Sequence, residues 1–298
     1  MQSFIISVLD ILFKPFYSAL IFFPFTLKAG RHALYKQMQY FHFKLTKARR
    51  GMARVSKISV AKNCSFEMKL NPCVDFHQFH LAVAGFYEKD ISEKIAPEFE
   101  TADIFIDVGA YLGYYSIMAA TVSPHIQVYA YEPQKEAYDI LRQNIVLNNA
   151  TIHIYNIALG SRDEKGTLYI DRFPERSSLM ADTASKGYCY ETSVKKLDDL
   201  LDIKNKKLVI KIDTEGFEFE VLKGMAKILQ QNNCTIFFEY NFHKYQQMYG
   251  VGCVMGIKKF FVDLFYDVYV INTRSDLQLY TFPQKETHQQ NMLAIKKG

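Results

Sequence analysis

From Asp103 onward the chain alternates short β-rich runs with segments of helical periodicity, and this alternation constrains the fold more than any other feature. DIFIDV (103–108), IQVYAYE (126–132), TIHIYNI (151–157), KLVIKID (207–213) and CTIFFEY (234–240) are compact apolar runs, as strands buried on both faces require. Between them, Gly113 to Val122, Lys135 to Leu147 and Glu218 to Leu229 carry apolar residues at helical spacing, such as Tyr138, Leu141 and Ile145 on the second. Strands that alternate with helices run parallel and are joined by crossovers. The expected class is therefore α/β, a doubly wound, mostly parallel sheet that binds ligands outside the carboxyl ends of its strands. The runs FYDVYVI (265–271), DLQLYTF (276–282) and NMLAIKK (291–297) supply late strands that complete the sheet.

Gly160 to Leu201 breaks the rhythm. GTLYI (166–170) and ETSVKKL (191–197) flank a polar, Ser-rich stretch and read as a hairpin excursion. Long loops in compact domains are often functional.

Three acidic strand ends carry the chemistry. The first strand runs into Asp107-Val108-Gly109-Ala110-Tyr111-Leu112-Gly113, a turn that opens a helix. A dinucleotide fold would show G-x-G-x-x-G there to seat a pyrophosphate, and this turn lacks it. An acid before the first glycine suits a zwitterion instead: Asp107 meets an ammonium, and turn amides such as those of Ala110 and Tyr111 meet a carboxylate. A helix cap is the structural alternative for Asp107. The second strand ends in Glu132-Pro133, where an acid can accept hydrogen bonds from both hydroxyls of a ribose. The fourth ends in Asp213-Thr214-Glu215-Gly216-Phe217-Glu218, whose carboxylates can orient a hydroxyl, remove its proton or hold a divalent cation, although acids at a helix start also serve its dipole. Glu239 ends the fifth strand with His243 four residues on, so Asp213, Glu215, Glu239 and His243 are the candidate bases.

The segments FIDVGAYLGYYS, YAYEP, NIALGS, KKLDDL and IKIDTEGFEFEVLKGM, in this order and spacing, resemble the FkbM family of class I methyltransferases. The likeness covers roughly residues 100 to 240, with IKIDTEGFE as its specific part. It implies a Rossmann-like, seven-stranded sheet and S-adenosyl-L-methionine as cofactor. By that resemblance Asp107, Gly109 and Gly113 contact the methionine part, Glu132 the ribose, and Ala158 and Leu159 line the adenine pocket. Asp213 and Glu215 then face the reacting methyl or the acceptor, with Ser177 and Ser178 in a loop near it. The implied reaction is O-methylation of a hydroxyl on a sugar of a glycan or glycolipid, or on a small natural product or lipid.

Residues 1–62, which the resemblance does not explain, form an extension of another kind before a methyltransferase domain expected over 63–298. They hold 11 Lys or Arg against the single acid Asp10, within a chain of 298 residues and net charge +5. Phe4 to Leu27 is almost wholly apolar, but its longest charge-free run, Pro15 to Leu27, has 13 residues, and a spanning helix needs about 18. An apolar-then-basic leader suits an anionic membrane surface, with the chain cytoplasmic at the inner face. A helical hairpin packed on the domain is the alternative. Nucleic acid is not expected, because no base-reading module follows. Five scattered cysteines without a CxxC pair suggest neither a disulfide framework nor a zinc site, and fit a reducing compartment. The rival classes are a nicotinamide oxidoreductase, disfavoured by the first turn, and a membrane-associated binding protein that keeps the fold without catalysis.

Overall fold

The computed structural model describes residues 53–61, 64–71, 76–171, 174–179, 188–250, 253–272, 276–282 and 289–297. The apolar stretch Phe4 to Leu27 and most of the basic extension lie outside these residues. Among the described residues no helix is long and apolar enough to cross a membrane. The chain divides into two compact units, Met1–Tyr87 and Glu88–Gly298.

In the first unit, β1 (Arg54–Ala61) pairs antiparallel with β2 (Cys64–Leu70), and α1 (Phe76–Ala84) follows. Strict alternation along β2 buries Phe66, Met68 and Leu70 on one face, as period-2 patterning demands. Arg54 and Lys57 of the basic segment belong to β1.

The second unit runs α2 (Lys89–Phe99), β3 (Ile104–Val108), α3 (Tyr114–Val122), β4 (Gln127–Tyr131), α4 (Lys135–Leu147) and β5 (Ile152–Tyr155). There follow β6 (Ala158–Leu159), β7 (Glu164–Tyr169), β8 (Cys189–Lys195), α5 (Leu197–Leu200), β9 (Lys207–Ile212), α6 (Glu218–Gly224) and α7 (Ala226–Gln231). The last elements are β10 (Asn233–Asn241), α8 (Phe242–Tyr249), α9 (Cys253–Asp263), β11 (Tyr266–Ile271), β12 (Leu277–Leu279) and β13 (Gln289–Lys296).

The main sheet has the order β12-β11-β13-β10-β9-β3-β4-β5, in which β10, β9, β3, β4 and β5 pair in parallel. It holds eight strands, one more than the expected seven, because the three-residue β12 adds an edge. The late strands do not append in sequence: β13 inserts antiparallel between β10 and β11. The excursion is a hairpin, β7 antiparallel to β8, extended to a separate three-stranded sheet by β6.

Alternation along the strands sorts the core. Ile104, Ile106, Val108, Leu208, Ile210, Ile212, Ile236 and Phe238 share one apolar cluster on one face of the sheet. The residues between them, including Asp107 on β3, Lys211 on β9 and Glu239 on β10, point to the other face. Chain reversal after β3 requires Gly109 at φ 79°, because a Cβ there would lie 1.9 Å from the carbonyl oxygen of Asp213. The helical segment read as Glu218 to Leu229 is two helices, broken at Met225 where Gly224 passes the carbonyl of Gly160.

Candidate active site

The carboxyl ends of β3, β4 and β9 are tied together through backbone. Gly109 and Ala110 N–H groups donate to the Tyr131 carbonyl at 2.9 and 3.1 Å, and the Asp213 N–H donates to the Val108 carbonyl at 2.9 Å. These bonds bring three acidic strand ends around one cleft that opens to solvent.

At the first end, Gly109 and Tyr111 line the cleft. Asp107 lies behind it, 2% exposed, with its carboxylate accepting from the Ser116 hydroxyl at 2.5 Å. Burial lifts its pKa to about 6, opposed by the Ser116 bond and the Lys211 charge. Gly113 caps α3 at φ 89°, and its missing Cβ leaves room for Leu141. The turn amides are spent inside the protein: those of Gly109 and Ala110 on Tyr131, that of Tyr111 on Glu132, and that of Gly113 on the Ala110 carbonyl. Asn144, fully buried on α4, fixes the turn by donating to the Leu112 carbonyl at 3.0 Å.

Glu132, 5% exposed, and Pro133 form the next wall. One Glu132 oxygen accepts from the Tyr111 N–H and the other from the Gln134 N–H, each at 2.7 Å. Each oxygen keeps a second lone pair, which is what a ribose diol needs. Burial raises the Glu132 pKa to about 7, against the two amide bonds that lower it. Asn156 donates to the Glu132 and Pro133 carbonyls, and the Tyr190 hydroxyl of β8 accepts from the Lys135 N–H, so the excursion braces this corner. Ala158 and Leu159 line the adjoining part of the cleft.

The third end is built from ion pairs. Lys211, 2% exposed in the middle of an apolar strand, sits 2.8 Å from Asp213 and 3.9 Å from Glu88. Burial works against its charge, yet Asp213 and Glu88 more than offset that and raise its pKa. Glu88 also accepts from the Tyr115 hydroxyl at 2.7 Å, and the Lys211 ammonium lies 5.1 Å from the centre of the Tyr115 ring. Glu215, at φ 56°, pairs with Lys244 of α8 at 2.6 Å. Its pKa is raised, by burial first and by Asp213, while Lys244 opposes the rise. Glu218 is structural: 1% exposed, it accepts from the Thr214 and Gly216 amides with one oxygen and from the Tyr245 hydroxyl with the other.

The excursion reaches this end as well. Ser177 and Ser178 line the cleft with Asp213 and Glu215, and the Ser178 hydroxyl donates to the Glu215 carbonyl at 3.1 Å. Glu239 is not among the lining residues, but its carboxylate, with those of Asp213 and Glu215, forms a group whose oxygens lie within 4.8 Å of one another. Three oxygens at that separation can hold a divalent cation, although Lys211 and Lys244 already supply positive charge to two of them. His243 falls in α8, and its side chain lies outside what the structure describes. The sequence reading missed Lys211, Lys244, Glu88 and Tyr115. Only Lys211 left a signal, as a cation inside the apolar run KLVIKI.

A family model described as the methyltransferase FkbM domain matches residues 107–269. "Methyltransferase sdnD" of Sordaria araneosa is 28% identical over 155 residues, covering 40% of this chain and 59% of that protein. "Hexuronic acid methyltransferase AglP" of Haloferax volcanii is 28% identical over 153 residues, covering 50% and 61%. The chain thus spans about three fifths of the length of these two relatives. Among solved structures, a methyltransferase FkbM from Methylobacillus flagellatus aligns with a TM-score of 0.41 at 13% identity, over 65% of this chain and 44% of that one.

Proposed function

The chain belongs to the methyltransferase FkbM domain family, matched over more than half its length, and from that premise we propose that it is an S-adenosylmethionine-dependent O-methyltransferase acting on a sugar hydroxyl of a glycan or glycolipid. One observation carries the reading: Gly109 with Tyr111, Glu132, and Asp213 with Glu215, from three different strand ends, line a single cleft. The cofactor supplies an electrophilic methyl on a sulfonium sulfur. Glu132 accepts the ribose hydroxyls, Ala158 and Leu159 flank the adenine, and Gly109 and Tyr111 of the first turn lie against the methionine part. A fully ionised Glu132 suits this task better than its protonated form.

Asp213 and Glu215 hold the acceptor hydroxyl in line with the methyl, since positioning supplies much of the rate of such a displacement. Lys211, 2.8 Å away, supplies the opposite charge that holds the Asp213 side chain in place. Glu215 takes the proton, because burial makes its carboxylate more basic than an exposed one. Ser177 and Ser178 contact the acceptor. Glu239 and His243 play no part in this scheme, and it routes no step through a metal. A sugar acceptor is favoured by the relative named a hexuronic acid methyltransferase. A membrane-borne acceptor is favoured by the apolar-then-basic character of residues 1–62.

Titration calorimetry with S-adenosylhomocysteine tests the cofactor site. The wild-type chain binds, and Glu132→Ala weakens binding about 100-fold, the worth of two hydrogen bonds to a charged group. Glu215→Gln and Asp213→Asn keep that affinity, and each lowers methyl transfer to sugar acceptors about 100-fold or more. A wild-type chain that does not bind S-adenosylhomocysteine overturns the reading.

A further inference from the structure

One residue of the cleft wall carries a hydroxyl that the proposed reaction leaves unused. Tyr131, the last residue of β4, is 1% exposed and lines the cleft. Its ring stacks on Tyr155 of β5, with centroids 5.1 Å apart and planes at 14°, beside a matching stack of Tyr129 on His153. It belongs to the apolar cluster that holds Val108, Leu159 and Leu197. The hydroxyl oxygen is buried and has no hydrogen-bond partner among the described residues. Buried phenols ordinarily find one. A phenyl ring would fill the same space and stack equally well, so packing accounts for the ring and leaves the oxygen unexplained.

The place of Tyr131 narrows the choice of partner. It immediately precedes Glu132 and shares the cleft wall with Ile157, Ala158 and Leu159, on the side away from Asp213 and Glu215 in the order of strands. Burial, with Tyr155 and Tyr129 alongside, raises its pKa, so it keeps its proton at any working pH. It therefore meets a ligand as a donor, and a purine offers ring-nitrogen acceptors. We propose that the Tyr131 hydroxyl donates a hydrogen bond to the nucleoside part of the cofactor, on its adenine side, and is a determinant of nucleoside recognition. This rests on the reading of the cleft as the S-adenosylmethionine site.

The test compares two ligands, S-adenosylhomocysteine and 5′-methylthioadenosine, which share the nucleoside and differ in the amino acid. Tyr131→Phe weakens both by the same factor, about 5- to 10-fold for one hydrogen bond. Its melting temperature without ligand equals or exceeds that of the wild type, because an apolar isostere removes an unsatisfied group. Tyr155→Phe, which deletes the hydroxyl of the stacked partner, leaves both affinities unchanged. Unchanged binding of methylthioadenosine by Tyr131→Phe overturns the inference. So does a lowered melting temperature of the free variant, since the hydroxyl would then have a partner within the protein, or an equal loss of affinity in Tyr155→Phe. If the wild type binds neither ligand, the cofactor reading itself fails; if it binds both and Tyr131→Phe binds them as well, only this inference does.

Discussion

The two ends of the cleft hold their acids by different means. Glu132 is gripped by backbone amides, those of Tyr111 and Gln134, whereas Asp213 and Glu215 are held by the side chains of Lys211 and Lys244. An amide is placed by the fold and cannot turn away. A lysine has four rotatable bonds and can exchange one partner for another. The Glu132 end is thus set once the strands have paired, as a fixed receptor must be, while the Asp213 end keeps charge that an incoming hydroxyl can redistribute. Under the proposed function, rigidity falls at the cofactor end and adjustability at the acceptor end, which suits a protein in which one ligand is constant and the other is the point of divergence.

The contrast can be broken most severely where the two ends meet. Gly109→Ala forces a Cβ to within 1.9 Å of the Asp213 carbonyl in a left-handed conformation, at a cost on the order of 4 kcal/mol. Urea unfolding followed by circular dichroism reads this loss, and a variant as stable as its parent would mean that the strand ends are not locked. Lys211→Met comes next. It leaves Asp213 and Glu88 facing each other without their cation, costing about 3 kcal/mol. Part of the deficit returns at lower pH as Glu88, whose pKa is already raised by burial, takes up a proton.

The pH dependence sharpens the comparison at the other end. With a pKa near 7 in the folded protein, Glu132 binds more protons folded than unfolded between the ordinary carboxylate range and pH 7. It therefore contributes a loss of stability as pH rises through that window. A ribose diol favours the ionised form, so affinity for S-adenosylhomocysteine rises about 10-fold from pH 6 to pH 8, with a proton released on binding. Calorimetry in buffers of different ionisation enthalpy counts that proton, and flat affinity across this range would show that Glu132 is already ionised. The smallest effect belongs to Lys244→Met. Its pair with Glu215 is partly open to solvent, the two side chains being 31% and 21% exposed, so the cost is about 1 kcal/mol. A loss as large as that of Lys211→Met would erase the distinction between the two lysines.

The sequence disclosed the fixed end better than the adjustable one, for a physical reason. Amide-held acids lie where a strand stops and a helix starts, and Gly109, Gly113 and Pro133 mark such places in any chain. The parallel strands were legible from their apolar runs, and the hairpin excursion from the polar interval between them. What pairs with an acid across the sheet leaves no local trace. Lys211 is two residues from Asp213, but it reads as a lone cation in a strand until Glu88, a residue at φ 38° just before α2, is seen on the same face. The first-turn glycines were legible as necessary, though the geometry gives a reason other than ligand approach: Gly109 clears the Asp213 carbonyl and Gly113 clears Leu141. The break at Met225 was illegible because its cause, the Gly160 carbonyl, is far away in sequence.

The insertion of β13 has a consequence for how such a chain is made. β10 and β11 are synthesised first, yet their backbones do not pair with each other; each bonds to β13. Until residues 289–296 emerge, the nascent sheet has a slot one strand wide, bordered on both sides by amides and carbonyls awaiting partners. Any extended segment of suitable pattern can enter it, including the equivalent segment of a neighbouring polypeptide. Completion of this half of the sheet is therefore a late event, set by the arrival of β13.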